Sequence, residues 1–381
     1  MHRALTIGLS LTPLLLLLVI GSGVLDDEAS SPHPDYDALR TQYSADPADW
    51  PAPEVADSID WEPLGPLPDP PVRGIDSLDA VVELGKTLFF DPRLSSSDQI
   101  SCASCHDPEW SWGNARSVGI GHDHQEGRRN VPSLANIWAM ETLLWDGRAS
   151  TLEEHAVHPI EDPTEMNMDL EALPAKLEAI EGYAPLFAES FGDATVTIER
   201  ITRALAQFQR TIKSRTSDFD RFLNGRSDAL SDEALHGLHL FRTKGSCMSC
   251  HHGPRFTDEK FHNLGLHFYG RSIEDLGRYD VTGNPDDMGR FRTPSLRDVA
   301  HTGPWMHNGM VDELSGVLVM YNNGMVRPRP NDAVKDEPHF PETSPLLEEL
   351  DLTDDELSAL EAFLESISAP PFRRQRPELP Q

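Results

Sequence analysis

Two pentapeptides carry the chemistry of this sequence: Cys102-Ala103-Ser104-Cys105-His106 and Cys247-Met248-Ser249-Cys250-His251. C-x-x-C-H is the spacing at which a c-type haem is attached. On a helical turn, residues three and four apart share a face. Two sulfurs so placed reach the two vinyl groups of one porphyrin, and the histidine sets a nitrogen on its iron. All 4 cysteines of the chain fall within these motifs, which leaves none for a disulfide. A zinc module would set its two pairs about 15–20 residues apart. Here the pairs lie in different halves of the chain, each with its own histidine. A thioredoxin-like dithiol has no use for a histidine directly after the second cysteine. The motifs therefore predict two covalent c-type haems, with His106 and His251 as iron ligands.

Something must hold each motif in place. Before the first, residues 77–90 read as a helix: Leu78, Val81, Val82, Leu84 and Leu88 recur near helical spacing, Ser77 caps it and Asp91-Pro92 stops it. Residues 107–130 read as a loop punctuated by Gly113, Gly119, Gly121 and Gly127, as wrapping the far side of a porphyrin requires. The clearest amphipathic helix spans 198–212, where Ile198, Ile201, Leu205, Phe208 and Ile212 step by three and four. Asn224-Gly225 marks a turn and a domain boundary. The second half repeats the plan. Ser231 caps a helix holding Leu235, Leu238 and Phe241, the second motif follows, and 252–304 is loop-rich. Thr353 and Glu356 form a capping box for a last helix through Leu357, Leu360, Phe363, Leu364 and Ile367, which Pro370-Pro371 ends. Helix, haem motif, loop and helix, twice over, imply an internal duplication. Strand signals are almost absent. The expected fold is all-α, with two cytochrome c-like domains at 76–225 and 226–381, one covalent haem in each and little or no β.

The remaining chain sets boundary conditions. The 381 residues carry a formal net charge of −31, so nothing would neutralise nucleic-acid phosphates. An acidic surface can steer a basic protein partner, or can simply be well solvated. Residues 1–25 begin with Met1-His2-Arg3, continue with an apolar run unbroken from Leu14 to Ile20, and end in small residues before Asp26-Asp27-Glu28. This reads as an export signal, or as a single N-terminal membrane anchor if retained. It places the protein in the periplasm, which suits covalent haem attachment. Residues 26–75 are rich in proline and read as an extended arm that Trp50 and Trp61 pin to the globular part.

Several further motifs resemble the bacterial dihaem cytochrome c peroxidase and MauG family. They run from Leu84 towards the C-terminus: Leu84-Gly85-Lys86-Thr87-Leu88-Phe89-Phe90-Asp91-Pro92-Arg93-Leu94-Ser95, Arg129-Asn130-Val131-Pro132-Ser133-Leu134, Leu144-Trp145-Asp146-Gly147-Arg148-Ala149, Glu165-Met166-Asn167, Arg292-Thr293-Pro294-Ser295-Leu296-Arg297 and Met306-His307-Asn308-Gly309. The resemblance implies a division of labour. The C-terminal haem, on His251, receives electrons from a small donor protein, a cytochrome c or a cupredoxin. The N-terminal haem, on His106, meets hydrogen peroxide.

The resemblance also distributes roles. Glu165 matches the distal glutamate that moves a proton between the peroxide oxygens. His155 stands where the family usually has a glutamine, as a second acid/base group or a different hydrogen bond. Trp145 falls between the haems as an electron relay, or as a large core side chain. His122, with His124 nearby, matches a loop histidine that closes the peroxidatic haem in many members. The sixth ligand of the second haem falls on Tyr321, with Met320 beside it. On a helix these neighbours point about 100° apart, so only one can face the iron. Tyrosine there is the MauG-like state, because a phenolate favours the oxidised metal whereas a thioether raises the potential. Asn130, with the carbonyls of Thr302 and Pro304, matches an interdomain calcium site. Three functions are thus expected to compete. The first is a peroxidase. The second is a MauG-like oxidase that withdraws electrons from tryptophan or tyrosine of a protein substrate. The third is a non-enzymatic electron carrier, against which Glu165 and the glycine-rich loop argue. A homodimer is left open.

Overall fold

Two helix pairs organise the chain, and each pair crosses at a glycine. The computed structural model describes residues 34–381 apart from 74, 76, 77 and 372. Asp79–Phe90 packs across Ile198–Gln209, where a Cβ on Gly85 would stand 1.9 Å from the carbonyl oxygen of Ala204. Asp232–Arg242 packs across Asp354–Ser366, where a Cβ on Gly237 would stand 1.9 Å from the carbonyl oxygen of Ala359. Glycine costs a helix about 1 kcal/mol relative to alanine. Here it allows two backbones to touch, which no other residue could.

One turn beyond each glycine an aromatic residue closes the crossing. Phe89 meets Phe208 and Phe241 meets Phe363, both with ring centroids 5.2 Å apart. Trp112 completes the first group at 5.9 and 6.0 Å, and Phe256 completes the second at 6.0 and 6.3 Å. These groups sit in two separate hydrophobic cores, one built from residues of 81–212 and the other from 39–64 and 219–367. Both cores lie within one compact unit, Tyr36–Gln381.

The helix ends follow local chemistry. Thr197, Ser231 and Thr353 accept hydrogen bonds from the backbone N–H of Arg200, Ala234 and Glu356, and Glu356 returns the bond to Thr353. The expected cap Ser77 lies outside the described residues. The helix read as 198–212 stops at Gln209. Beyond it the chain tightens, the Thr211 and Ile212 N–H groups bonding the carbonyls of Phe208 and Gln209 three residues back, and the carbonyl of Ile212 accepts from the Asn136 N–H and the Trp138 indole. As expected, β-structure is slight: Phe261–His262 pairs antiparallel with Phe291–Arg292, the one sheet among the described residues.

The proline-rich arm is extended but also carries a helix, Tyr36–Gln42. Trp50 is buried, 5.0 Å from Tyr43 and beneath the Arg242 guanidinium at 5.1 Å, and Trp61 packs against the second core. Among the described residues no helix is long and apolar enough to cross a membrane. The expected signal or anchor at 1–25 lies outside them.

The crossings make a prediction. Gly85→Ala and Gly237→Ala should each lower stability by about 1–3 kcal/mol through overpacking. Denaturant unfolding followed by circular dichroism measures this, and an unchanged midpoint in both variants would refute the close-contact account.

Candidate haem sites and the space between them

Each C-x-x-C-H motif forms a tight turn that ends on a half-buried histidine. Cys102–Cys105 is a single helical turn opened by a reciprocal cap between Ser101 and Ser104. Cys247–Ser249 is the tighter 3-10 equivalent. His106 Nδ1 lies 3.0 Å from the carbonyl oxygen of Trp112, and His251 Nδ1 lies 2.9 Å from that of Phe256. A carbonyl can only accept, so Nδ1–H donates in both rings. The lone pair is thereby left on Nε2, the atom a metal would take. Burial pushes His106 down to about 4 and lowers His251 too, so both rings are neutral and ready to ligate.

The cysteines fit thioethers better than thiolates. Burial pushes Cys102, Cys247 and Cys250 up to about 12 and Cys105 to about 11, which disfavours charge on any of the sulfurs. A thioether carries none. Cys250 also lies near His262 and Asp258, but those two already bond each other at 2.9 Å.

Each motif opens onto its own cavity. The first, of about 550 Å³, is lined by Cys102, Cys105, His106, His155 and Glu165. The second, of about 260 Å³, is lined by Cys247, Cys250, His251 and Tyr321. Trp145, His155 and Asn130 line both. Trp145 is fixed from two sides. Its indole donates to the Asn130 carbonyl at 2.9 Å, and its own carbonyl accepts from the Arg292 N–H at 2.8 Å. The sequence-predicted relay thus stands between the two cavities.

Glu165 sits in the first cavity with its pKa raised, first by burial and then by the nearby Asp162 charge. The shift favours the protonated carboxyl, the form that can donate a proton. His155, on the Leu152–Glu161 helix, is pushed down to about 3 by burial, reinforced by His106, His158 and Arg148, and is therefore neutral.

The loop carrying His122 is tied to Glu165: the His122 N–H donates to the Glu165 carbonyl at 2.8 Å. Gly121 allows this, since a Cβ there would stand 2.2 Å from the Thr164 carbonyl. The His122 ring meets Ser96 and Asp123, both at 3.4 Å, and neither it nor His124 is among the residues that line the first cavity. In the second cavity the two neighbours separate. Tyr321 lines it, with its phenol pKa raised by burial and by Cys250 and Cys247. Met320 is not among the residues that line it, although both side chains pack against the satellite cluster of Leu266, Met306 and Met325. Asn130, Thr302 and Pro304 all line the second cavity, and the Asn130 amide donates to the carbonyls of Arg116 and Ser117.

Some neighbours carry no signal in the sequence. Phe291 stacks on His307 with centroids 3.6 Å apart, and His307 lies 6.5 Å from Trp145. Arg129 joins the halves, bonding Asp146 at 2.5 Å and Asp275 at 2.7 Å. Arg129 stands inside a motif quoted for the resemblance, but its partners come from different halves of the chain and no spacing links them. Gln209, which lines the first cavity, ends an ordinary amphipathic helix.

Two half-buried neutral histidines, each closing a C-x-x-C turn beside a cavity in a mostly helical frame, define a protein built for two c-type haems. Comparison with known proteins narrows the class. The profile of the di-haem cytochrome c peroxidase family matches residues 79–228. The methylamine utilization protein MauG of Methylophilus methylotrophus is 39% identical over 302 residues, 78% of this chain and 85% of that protein. The cytochrome c551 peroxidase of Nitrosomonas europaea is 38% identical over 244 residues, 64% of this chain and 73% of that one. Among solved structures, a MauG-like protein associated with microbial copper homeostasis aligns with a TM-score of 0.69 and 31% identity, over 82% of this chain and 94% of that chain. The diheme peroxidase BthA of Burkholderia thailandensis aligns at 0.67 and 25%, over 86% and 98%. The chain belongs to the di-haem cytochrome c peroxidase family and is an oxidoreductase.

Attachment can be checked motif by motif. Replacing Cys102 and Cys105 by serine should leave one covalent haem, on the second motif, and replacing Cys247 and Cys250 should leave the other. Intact-mass spectrometry of the purified variants reads the count, and a variant retaining two covalent haems would contradict the assignment.

Proposed function

We propose that this chain reduces hydrogen peroxide to water, with electrons from a small periplasmic redox protein received at the haem of His251 and passed by way of Trp145 to the haem of His106. The observation that carries this reading is Glu165: a carboxyl whose pKa is raised, in the same cavity as the neutral His106 imidazole. When bound there, haem iron would supply an open coordination position and the electrons for O–O cleavage. The protein's own part is to move protons and exclude water. Glu165 gives its proton to the departing oxygen, which leaves as water in place of costly hydroxide. The nearby Asp162 charge helps retain that proton until it is needed. The neutral His155 adds a polar group to the same wall without adding charge. Trp145, held by Asn130 and Arg292, offers an oxidisable ring in a fixed orientation between the sites. Asn130 and the carbonyls of Thr302 and Pro304 would hold a calcium ion. The Asn130 amide nitrogen is engaged by Arg116 and Ser117, so its side-chain oxygen is the atom a cation would use.

The acid role fixes the sign of the pH dependence. A raised pKa keeps the acid form present below it, and turnover should be lost as pH rises through that value. Glu165→Gln should lower kcat on the order of 100-fold or more and abolish this alkaline limb. Peroxide consumption measured against pH tests both, and an unaltered profile in the variant would remove Glu165 from the mechanism.

A second reading, a MauG-like oxidase acting on tryptophan or tyrosine of a partner protein, is favoured by Tyr321, which lines the His251 cavity where Met320 does not. Stoichiometric peroxide separates the two when spectra are recorded with and without prior one-electron reduction. Turnover that requires pre-reduction is the expected result for the peroxidase. A persistent oxidised state formed from the fully ferric protein would transfer the assignment to the oxidase. Elemental analysis of the same sample should find two irons and one calcium, and finding no calcium would remove that ion from the proposal.

A further inference from the structure

Two buried polar atoms near the first cavity lack partners. His155 Nδ1 and Gln209 Oε1 are both shielded from solvent and neither makes a hydrogen bond at normal geometry. Their residues are almost wholly enclosed, at 7% and 4% exposure, and both line the cavity that holds His106 and Glu165. The helices that carry them, Leu152–Glu161 and Ile198–Gln209, pack against each other, which brings the Gln209 amide near the His155 ring without closing a bond. Leaving both atoms unpaired would cost about 1–3 kcal/mol each. The remedy lies between them, because a ring N–H is a donor and an amide oxygen is an acceptor. A small closing movement satisfies both.

We propose that Gln209 is a positioning residue, its Oε1 accepting from His155 Nδ1–H so that the ring keeps one tautomer and turns its Nε2 lone pair to the cavity. This rests on the reading of that cavity as the peroxide site. The pairing repeats, on the distal side, the device found at both proximal histidines, where a carbonyl captures Nδ1–H and frees Nε2. It also gives the cavity a proton acceptor to match its proton donor, because a bond to Gln209 stabilises the protonated ring and works against the burial that weakens it as a base. Peroxide can surrender the proton of its inner oxygen to His155 Nε2 while its outer oxygen takes the proton of Glu165. The O–O bond then breaks with two electrons drawn from the haems, and the outer oxygen departs as water. The His155 proton and one further proton from solvent convert the inner oxygen to the second water. Glutamine at position 155 would have no lone pair on nitrogen for this, so the histidine is what makes the acceptor available.

Hydrogen cyanide is the probe, because it must also lose a proton before its anion binds iron. Its association rate with the first haem should be followed in the Soret band of the holoprotein, both fully oxidised and one-electron reduced. Gln209→Leu and His155→Leu should each slow association on the order of tenfold or more. Gln209→Glu, which keeps an acceptor in place, should restore most of the rate. Circular dichroism and the intact Soret band exclude misfolding as the cause, and the glutamate variant distinguishes a lost acceptor from lost packing. An unchanged rate in Gln209→Leu, or equal slowing in Gln209→Glu and Gln209→Leu, would overturn the positioning role. So would the absence of cyanide binding in both redox states. Holoprotein that shows the expected cyanide pattern yet consumes no peroxide would uphold the pair and defeat the peroxidase reading instead.

Discussion

The bond from each haem-motif histidine to a backbone carbonyl is the contact on which the molecule turns. It fixes which ring nitrogen is free, and it does so deep enough that the ring stays neutral. The carbonyls belong to Trp112 and Phe256, whose rings are the third members of the two aromatic groups. Those groups are held by Phe89 with Phe208 and by Phe241 with Phe363, one turn past the glycine crossings. A chain of constraint thus runs from a missing Cβ to the orientation of an imidazole. Widening either crossing would move the aromatic group first, then the carbonyl, and then the nitrogen meant for iron.

The two halves share this frame and differ in what they place above it. The first cavity has a carboxyl with a raised pKa and a neutral imidazole, the means to handle protons. The second has a phenol whose ionisation is opposed by burial and by both cysteines of its motif. That opposition describes the protein alone; a metal cation beside Tyr321 would reverse it by stabilising the phenolate. Between the cavities, Trp145 takes one hydrogen bond from each half, and Arg129 ties Asp146 to Asp275 across the same boundary. Removing one partner from so buried an ion pair strands a charge, at about 3–5 kcal/mol. The junction therefore holds its geometry more strictly than a surface contact would.

Much of this could be read from the sequence, and what could not has a common cause. The motifs named the histidines and cysteines outright, and the caps at Ser231 and Thr353 were legible because capping is local chemistry. The amphipathic stretch from Ile198 ran too far in the reading because Ile212 continues the apolar spacing. Its carbonyl is claimed instead by Asn136 and Trp138, more than sixty positions away. Gly85 and Gly237 look like weak points in helices until the partner backbones are present. Glu165 and Tyr321 were found through family resemblance, not through spacing, and the cavities place them beside the haem motifs. Gln209 was invisible, since a glutamine at the end of an amphipathic helix has no distinguishing pattern. Its meaning depends on His155, which reaches it only through the fold.

The same non-local logic explains why one compact unit holds both cores. The arm from Tyr36 onward serves the second core, where Leu39, Tyr43, Trp50 and Leu64 are buried and the carbonyls of Pro51 and Gly65 accept from Arg242 and Arg297. Residues 374–381 return to the first. Arg374 lies over Trp112 and Phe208 at 5.5 and 5.0 Å, Arg93 donates to the Pro380 carbonyl, and the Gly182 N–H donates to that of Gln381. Each half is thus completed by a segment distant from it in sequence. Trp112 is the residue whose carbonyl orients His106, so a guanidinium stacked on its ring buttresses the first histidine from outside its own core. Neither haem site is wholly the property of its own half. A shift in one core is felt by the other through the tail as well as through Trp145, and that shared support keeps two metal centres in register.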